Sequence, residues 1–158
     1  MLEIRERAGH TTQPELTLTL PFEQRQRSRL RVTLSSGDEA ALLLARGSVL
    51  RGGDGLLLSD GRAVRVEAAL ESVSTVRSID PQKLARVAYH LGNRHVPVEI
   101  GAGFVRYLHD HVLDGMVRTL GLEVVAERVA FEPEAGAYGG PTHAHDQHTH
   151  THTHADET

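Results

Sequence analysis

The stretch LGNRHVPVEIGAGFVRYLHDHVLDGMVRTL, Leu91 to Leu120, holds three of the chain's eleven histidines within a pattern that otherwise packs like part of a small domain. Upstream of it, Asp80 and Pro81 make a helix start, with a side-chain oxygen to cap and a proline preset for the first turn. Leu84, Val87, Ala88 and Leu91 then recur at helical spacing, and Gly92 is expected to stop the helix. His95 follows that glycine and precedes Pro97, which predicts an imidazole on a short exposed turn. VPVEI and FVRYL read as two strands joined at Gly101 and Gly103. Asp110 is placed to cap a second helix whose apolar positions are Leu113, Met116, Val117 and Leu120, ended by Gly121.

Working outward, ESVSTVRSI before this region and EVVAERVAF after it both read as strands. The order is therefore β-α-β-β-α-β, a ferredoxin-like split βαβ arrangement over residues 71–134, with two helices covering one face of a four-stranded sheet. Residues 1–70 have a different rhythm. ELTLTL alternates from Glu15 to Leu20, and Pro21 ends it. QRQRSRLRVTL alternates again, with Arg25, Arg27, Arg29 and Arg31 on one side, taken as a solvated outer face. Short apolar pieces punctuated by Gly47, Gly52, Gly53, Gly55 and Gly61 follow, then RAVRVEAAL, which fits a small all-β barrel or sandwich. The fold class is thus α+β in two domains. From residue 135 to 158 the composition is that of a linker and a histidine-rich tail, expected to be disordered without metal.

Composition removes several functions. With no cysteine there are no disulfides, thiolate metal sites or thiol catalysis, leaving imidazole and carboxylate as the strong ligands. A net charge of -4, 4% aromatic content and no Trp argue against a nucleic-acid partner. No apolar run approaches the roughly 20 residues of a membrane span, and MLEIRERAGH has no signal-peptide core, so a cytoplasmic location is expected. Lys83 is the chain's one lysine and follows Gln82, so there is no phosphate-cradling G-x-x-x-x-G-K-[ST] loop. Any nucleotide-driven step must come from another protein.

The histidines point to a divalent transition metal. Neutral imidazole suits nickel, copper and zinc alike, so ligand type alone does not choose among them. His143, His145, His148, His150, His152 and His154 alternate with Thr, Ala, Asp and Gln, unlike the consecutive run of a purification tag. They can swing onto one ion in many combinations. His95 alone offers one bond, but a two-fold dimer with His95 near its axis would supply a pair, completed by tail histidines. His109 and His111 cannot share a helix face; they are either a peripheral site or a polar strand-helix junction. His90 reads as a helix C-terminal residue favoured by the dipole.

Two rivals to a metal carrier follow from the same residues. A metallohydrolase would use His95, His109 and His111 with Glu99 or Asp114 as general base. A storage protein would merely buffer divalent metal on the tail.

GNRHVPVEI followed by LHDHVLDGM and a histidine-rich tail resembles the UreE family, nickel metallochaperones of urease maturation. RVTLSSGDEAALLLARGSVLRGGDGLLLSDGRAVRVEAALESV is similar to that family's N-terminal domain. The resemblance implies a carrier and not an enzyme, with a peptide-binding-like β domain followed by a ferredoxin-like domain that dimerises. It matches His95 to the interfacial nickel ligand, and His109 and His111 to peripheral metal-binding positions. It further implies Ni(II) as cargo, with Zn(II) or Cu(II) as competitors. The implied partners are a second copy of the chain, the urease accessory GTPase and other accessory proteins, and apo-urease.

Overall fold

The computed structural model describes residues 1–9 and 13–135; the expectation for the tail, including all six of its histidines, falls outside the described residues. Strands β1 (Leu2–Ala8), β2 (Leu16–Leu20), β3 (Arg29–Thr33), β4 (Glu39–Leu43), β5 (Gly55–Leu58) and β6 (Ala63–Ala68) form one sheet in the order β2-β6-β5-β1-β4-β3. β1 runs parallel to β4 and β2 parallel to β6, and the other pairings are antiparallel. The outer strands of this order approach each other. Ser35, just after β3, donates its N–H to the Thr17 carbonyl on β2 at 3.0 Å, and the Thr17 N–H donates to Ser35 Oγ at 2.9 Å. The sheet therefore curls around its own apolar face, where Ile4, Leu18, Leu42, Leu56, Val64 and Val66 share one fully buried cluster.

A second, four-stranded sheet follows without a linker. Its elements are β7 (Leu70–Arg77), helix α2 (Pro81–Asn93), β8 (Glu99–Gly101), β9 (Phe104–Leu108), helix α3 (His111–Thr119) and β10 (Val125–Ala130). The strand order is β10-β7-β9-β8, with every neighbouring pair antiparallel. Both helices start where a capping aspartate was expected: Asp80 accepts from the Gln82 N–H at 2.9 Å, and Asp110 from Val112 and Leu113 at 2.8 and 3.1 Å. Val87 and Leu91 of α2, with Leu113 and Val117 of α3, pack in one cluster with Val76, Val105 and Tyr107 of the sheet. The helices thus cover one face, as their apolar spacing predicts. β8 is shorter than VPVEI suggested. Pro97 has no N–H to give a ladder, and the Val98 carbonyl is taken by the Glu134 N–H at 2.8 Å.

Two elements of the first sheet differ from expectation. β1 was not foreseen, because Glu3, Arg5, Glu6 and Arg7 obscure its apolar alternation; it nevertheless lies inside the sheet, with Ile4 opposite Leu42 on one side and Leu58 on the other. Phe22–Arg25 forms one turn of helix, α1, overlapping the start of the second strand expected from Gln24, and that strand begins only at Arg29. This corrects the reading of the arginine stripe. Arg29 and Arg31 are exposed on β3, whereas Arg25 is 0% exposed. The helical turn swings it away from the strand register and into the seam between the sheets.

That seam has an apolar and a polar half. Phe22, Val73 and Phe131 pack together, the two rings edge to face at 5.9 Å. Beside them the Arg25 guanidinium donates through Nε to the Leu20 carbonyl at 3.0 Å and through Nη1 to the Leu50 carbonyl at 3.2 Å. It also pairs with the Glu132 carboxylate and donates to the Phe131 carbonyl. Burial pulls its pKa below the ordinary arginine value, opposed by Glu132 and Glu71. Truncating one partner of such a pair leaves several polar atoms without a donor. Arg25→Met should lower stability by about 3–5 kcal/mol, and Arg25→Lys should recover only part of it, because an ammonium cannot reproduce the fork. The midpoint of urea unfolding reads both.

Candidate metal-binding site

His95 stands at the C-terminal end of α2, in a conformation that its own side chain disfavours. The helix runs through Gly92 to Asn93, so the expectation that Gly92 stops it is corrected. The left-handed position that usually ends a helix is taken by His95, with φ 59°, the one non-glycine with positive φ among the described residues. Its N–H donates to the Gly92 carbonyl at 3.0 Å, closing the last turn. The imidazole is exposed, as its position before Pro97 predicts. A strained residue at an exposed turn is held there by its surroundings, and such positions cluster where a side chain has work to do.

The surroundings of His95 are apolar and reach the end of the described chain. Phe22, Ala88, Val96, Pro97, Val98 and Ile100 line an open groove of about 450 Å³, which His95 shares with Glu134 and Ala135. The Glu134 N–H bond to Val98 fixes the outgoing segment along the groove. His143 lies eight residues past Ala135 (143 − 135), a span of at most about 3.3–3.6 Å per residue, or roughly 27 Å.

His109 is built differently. β9 ends at Leu108, and the His109 N–H continues the ladder to the Ser72 carbonyl at 3.1 Å. Its ring is half exposed, and Nδ1 faces inward, 3.3 Å from Asp114 Oδ2 and 3.2 Å from Ser74 Oγ. Asp114 is buried, and its other oxygen accepts from the Tyr107 hydroxyl at 2.6 Å. Burial, and then the bond to Asp114, push the Tyr107 pKa well above the ordinary tyrosine value, so that hydroxyl remains a donor. Sequence reading missed this support. The available signal was a carboxylate next to the core position Leu113, which demands a partner. His111 is the first residue of α3 and exposed, on the far side of the extended Asp110. His90 packs edge to face on Tyr89, with centroids 5.2 Å apart.

Among the described residues, no three or more His, Asp or Glu side chains gather closely enough to hold an ion. The fixed three-ligand pocket that a metallohydrolase needs from His95, His109 and His111 is not formed by them. The two proposed general bases are engaged elsewhere: Glu99 accepts from Arg106 at 2.8 Å and from the Glu132 N–H at 2.6 Å, and Asp114 from Tyr107. His95 has the donor type that nickel, zinc and copper take, but one described chain supplies too few donors for a shell.

Residues 2–69 match the UreE urease accessory protein N-terminal domain and residues 71–156 its C-terminal domain. Proteins named urease accessory protein UreE are similar over most of their length. The one from Alkalilimnicola ehrlichii is 61% identical over 140 residues, covering 89% of this chain and 86% of its own. The Proteus mirabilis protein is 58% identical over 130 residues, covering 82% and 81%. A Pseudomonas putida protein (strain W619) is 60% identical over 131 residues, covering 81% and 80%. The chain belongs to the UreE family of urease accessory proteins.

The left-handed conformation costs a residue with a Cβ on the order of 1–2 kcal/mol. Replacing His95 with glycine should therefore stabilise the metal-free fold by about 0.5–1 kcal/mol, after the extra entropy of the unfolded glycine. His95→Val should destabilise it. Chemical denaturation of the metal-free protein gives both signs, and a loss of stability in His95→Gly would show that the turn is not strained.

Proposed function

We propose that this chain is a metallochaperone that binds Ni(II) and delivers it during assembly of the urease active site. It works as a homodimer, with the urease accessory GTPase and the other accessory proteins handing the ion on to apo-urease in the cytoplasm. Residues 1–70 form a peptide-binding-like domain available to partners. Residues 71–134 form a ferredoxin-like metal and dimerisation domain; the 4-1-3-2 order of its strands (β10, β7, β9, β8) supports that reading. Membership of a urease accessory family supports the role in urease maturation, and no described helix is long and apolar enough to cross a membrane.

The observation that carries this reading is the groove shared by His95 and the outgoing chain at Ala135. Tail imidazoles, His143 to His154, capture the ion from solution and present it at the groove. Two copies of His95, brought together by apolar surface such as Ile100, accept it by ligand exchange. A site with few protein ligands exchanges quickly, which a carrier requires and a store does not. His109 and His111 hold ions peripherally. Zn(II) and Cu(II) compete for the same imidazoles, so cellular supply, together with the GTPase complex, sets the cargo.

Deletion and substitution separate a carrier from a metal store. A carrier lacking residues 142–158 should still activate urease when nickel is ample, whereas His95→Ala should lose most activation with the tail intact. Urease activity of cells expressing each variant, read across a nickel series, is the measurement. If deletion abolishes activation at every nickel level while His95→Ala is indistinguishable from wild type, the protein is a tail-based store.

A further inference from the structure

The cluster behind His109 has the form of a support for a metal-binding imidazole, and nothing about the His95 site uses it. Asp114 lies on α3, Tyr107 and His109 on and just after β9, and Ser74 on β7, so three elements meet around the His109 ring nitrogen. Asp114 is 4% exposed and Tyr107 0%. A buried carboxylate only accepts hydrogen bonds. One of its oxygens takes the Tyr107 O–H at 2.6 Å, and the other lies 3.3 Å from His109 Nδ1, close enough to favour an N–H over a lone pair on that nitrogen. A neutral imidazole has a single N–H. If Nδ1 carries it, the lone pair is left on Nε2, at the opposite edge of a ring that is half open to solvent.

We propose that Asp114, held by Tyr107, is a positioning residue that fixes His109 as the Nδ1–H tautomer and so presents its Nε2 lone pair outward for a divalent metal ion. The inference rests on the reading of His109 as a peripheral metal ligand and says how that ligand is prepared. A carboxylate on the second nitrogen orients the ring and raises its basicity, and losing such a partner costs about 10–100-fold in metal affinity. Ser74 Oγ, 3.2 Å from Nδ1, can donate or accept and therefore does not set the tautomer. The Asp114 oxygen 3.3 Å from Nδ1 is an acceptor and favours the N–H on that nitrogen.

Asp114→Asn tests this with little change of shape. The Tyr107 hydroxyl keeps the amide oxygen, which turns the NH2 toward His109 Nδ1. That nitrogen must then accept, so the proton moves to Nε2 and the lone pair is lost from the outward edge. The experiment uses the full chain labelled with 15N-histidine, His109 being assigned by its absence in His109→Ala. In metal-free wild type the His109 ring should show the Nδ1–H pattern of nitrogen shifts, and in Asp114→Asn the Nε2–H pattern. Zn(II), a diamagnetic ion that seeks imidazole, is then added, and the zinc concentration that half-shifts this ring should rise by about 10–100-fold in Asp114→Asn. The signal belongs to His109 alone, so tail binding does not obscure it.

A wild-type ring already in the Nε2–H form, or one whose tautomer and zinc response are unchanged by Asp114→Asn, overturns the proposal. If instead the tautomer switches as expected but the wild-type ring never responds to zinc, the reading of His109 as a ligand fails and the positioning claim for metal fails with it. The two results are distinguishable because the tautomer is read before any metal is added.

Discussion

A buried guanidinium organises this chain. Arg25 binds carbonyls at the end of β2 and at Leu50 in the β4–β5 connection, and also the Phe131 carbonyl and Glu132 carboxylate just past β10. No apolar side chain could replace it without leaving those acceptors unsatisfied in a closed seam. Because Phe131 and Glu132 are held there, the next residues run along Val98 and leave beside the His95 turn. A contact in the seam thereby decides where the described chain ends, beside the His95 groove.

The second sheet contributes a turn that spends stability at one residue. Glycine at position 95 would end α2 without strain, yet the position holds an imidazole in a left-handed conformation. That conformation sets the side chain on an exposed turn between α2 and Pro97. His109 is placed by another route, through a hydrogen bond to a serine beside a buried carboxylate 3.3 Å from the same nitrogen. The first imidazole is placed by backbone and the second by side-chain neighbours.

Features with local signals were legible in the sequence. The alternation of Ala63–Ala68 and the capping aspartates before α2 and α3 each depend on a few neighbouring residues, and the structure has them as read. The exposure of His95 was legible too, although for the wrong reason, since Gly92 lies within the helix. What escaped depended on distant residues. β1 is a strand because β4 and β5 flank it, not because its charged sequence favours one. Arg25 looked solvated because its alternation continues into β3, and only a helical turn at Phe22–Arg25 breaks that register. Asp114 meets Tyr107 of β9, and His109 beside it meets Ser74 of β7, pairings that periodicity alone cannot align.

The central claim is that two copies of the molecule share one ion through His95. Isothermal titration of Ni(II) into full-length protein, with the solution mass determined in the same samples, tests it most directly. The account predicts a tightest class of one ion per two subunits, carried by a dimer and lost in His95→Ala, while weaker tail binding persists. A tightest class that keeps its affinity and stoichiometry in His95→Ala would contradict it.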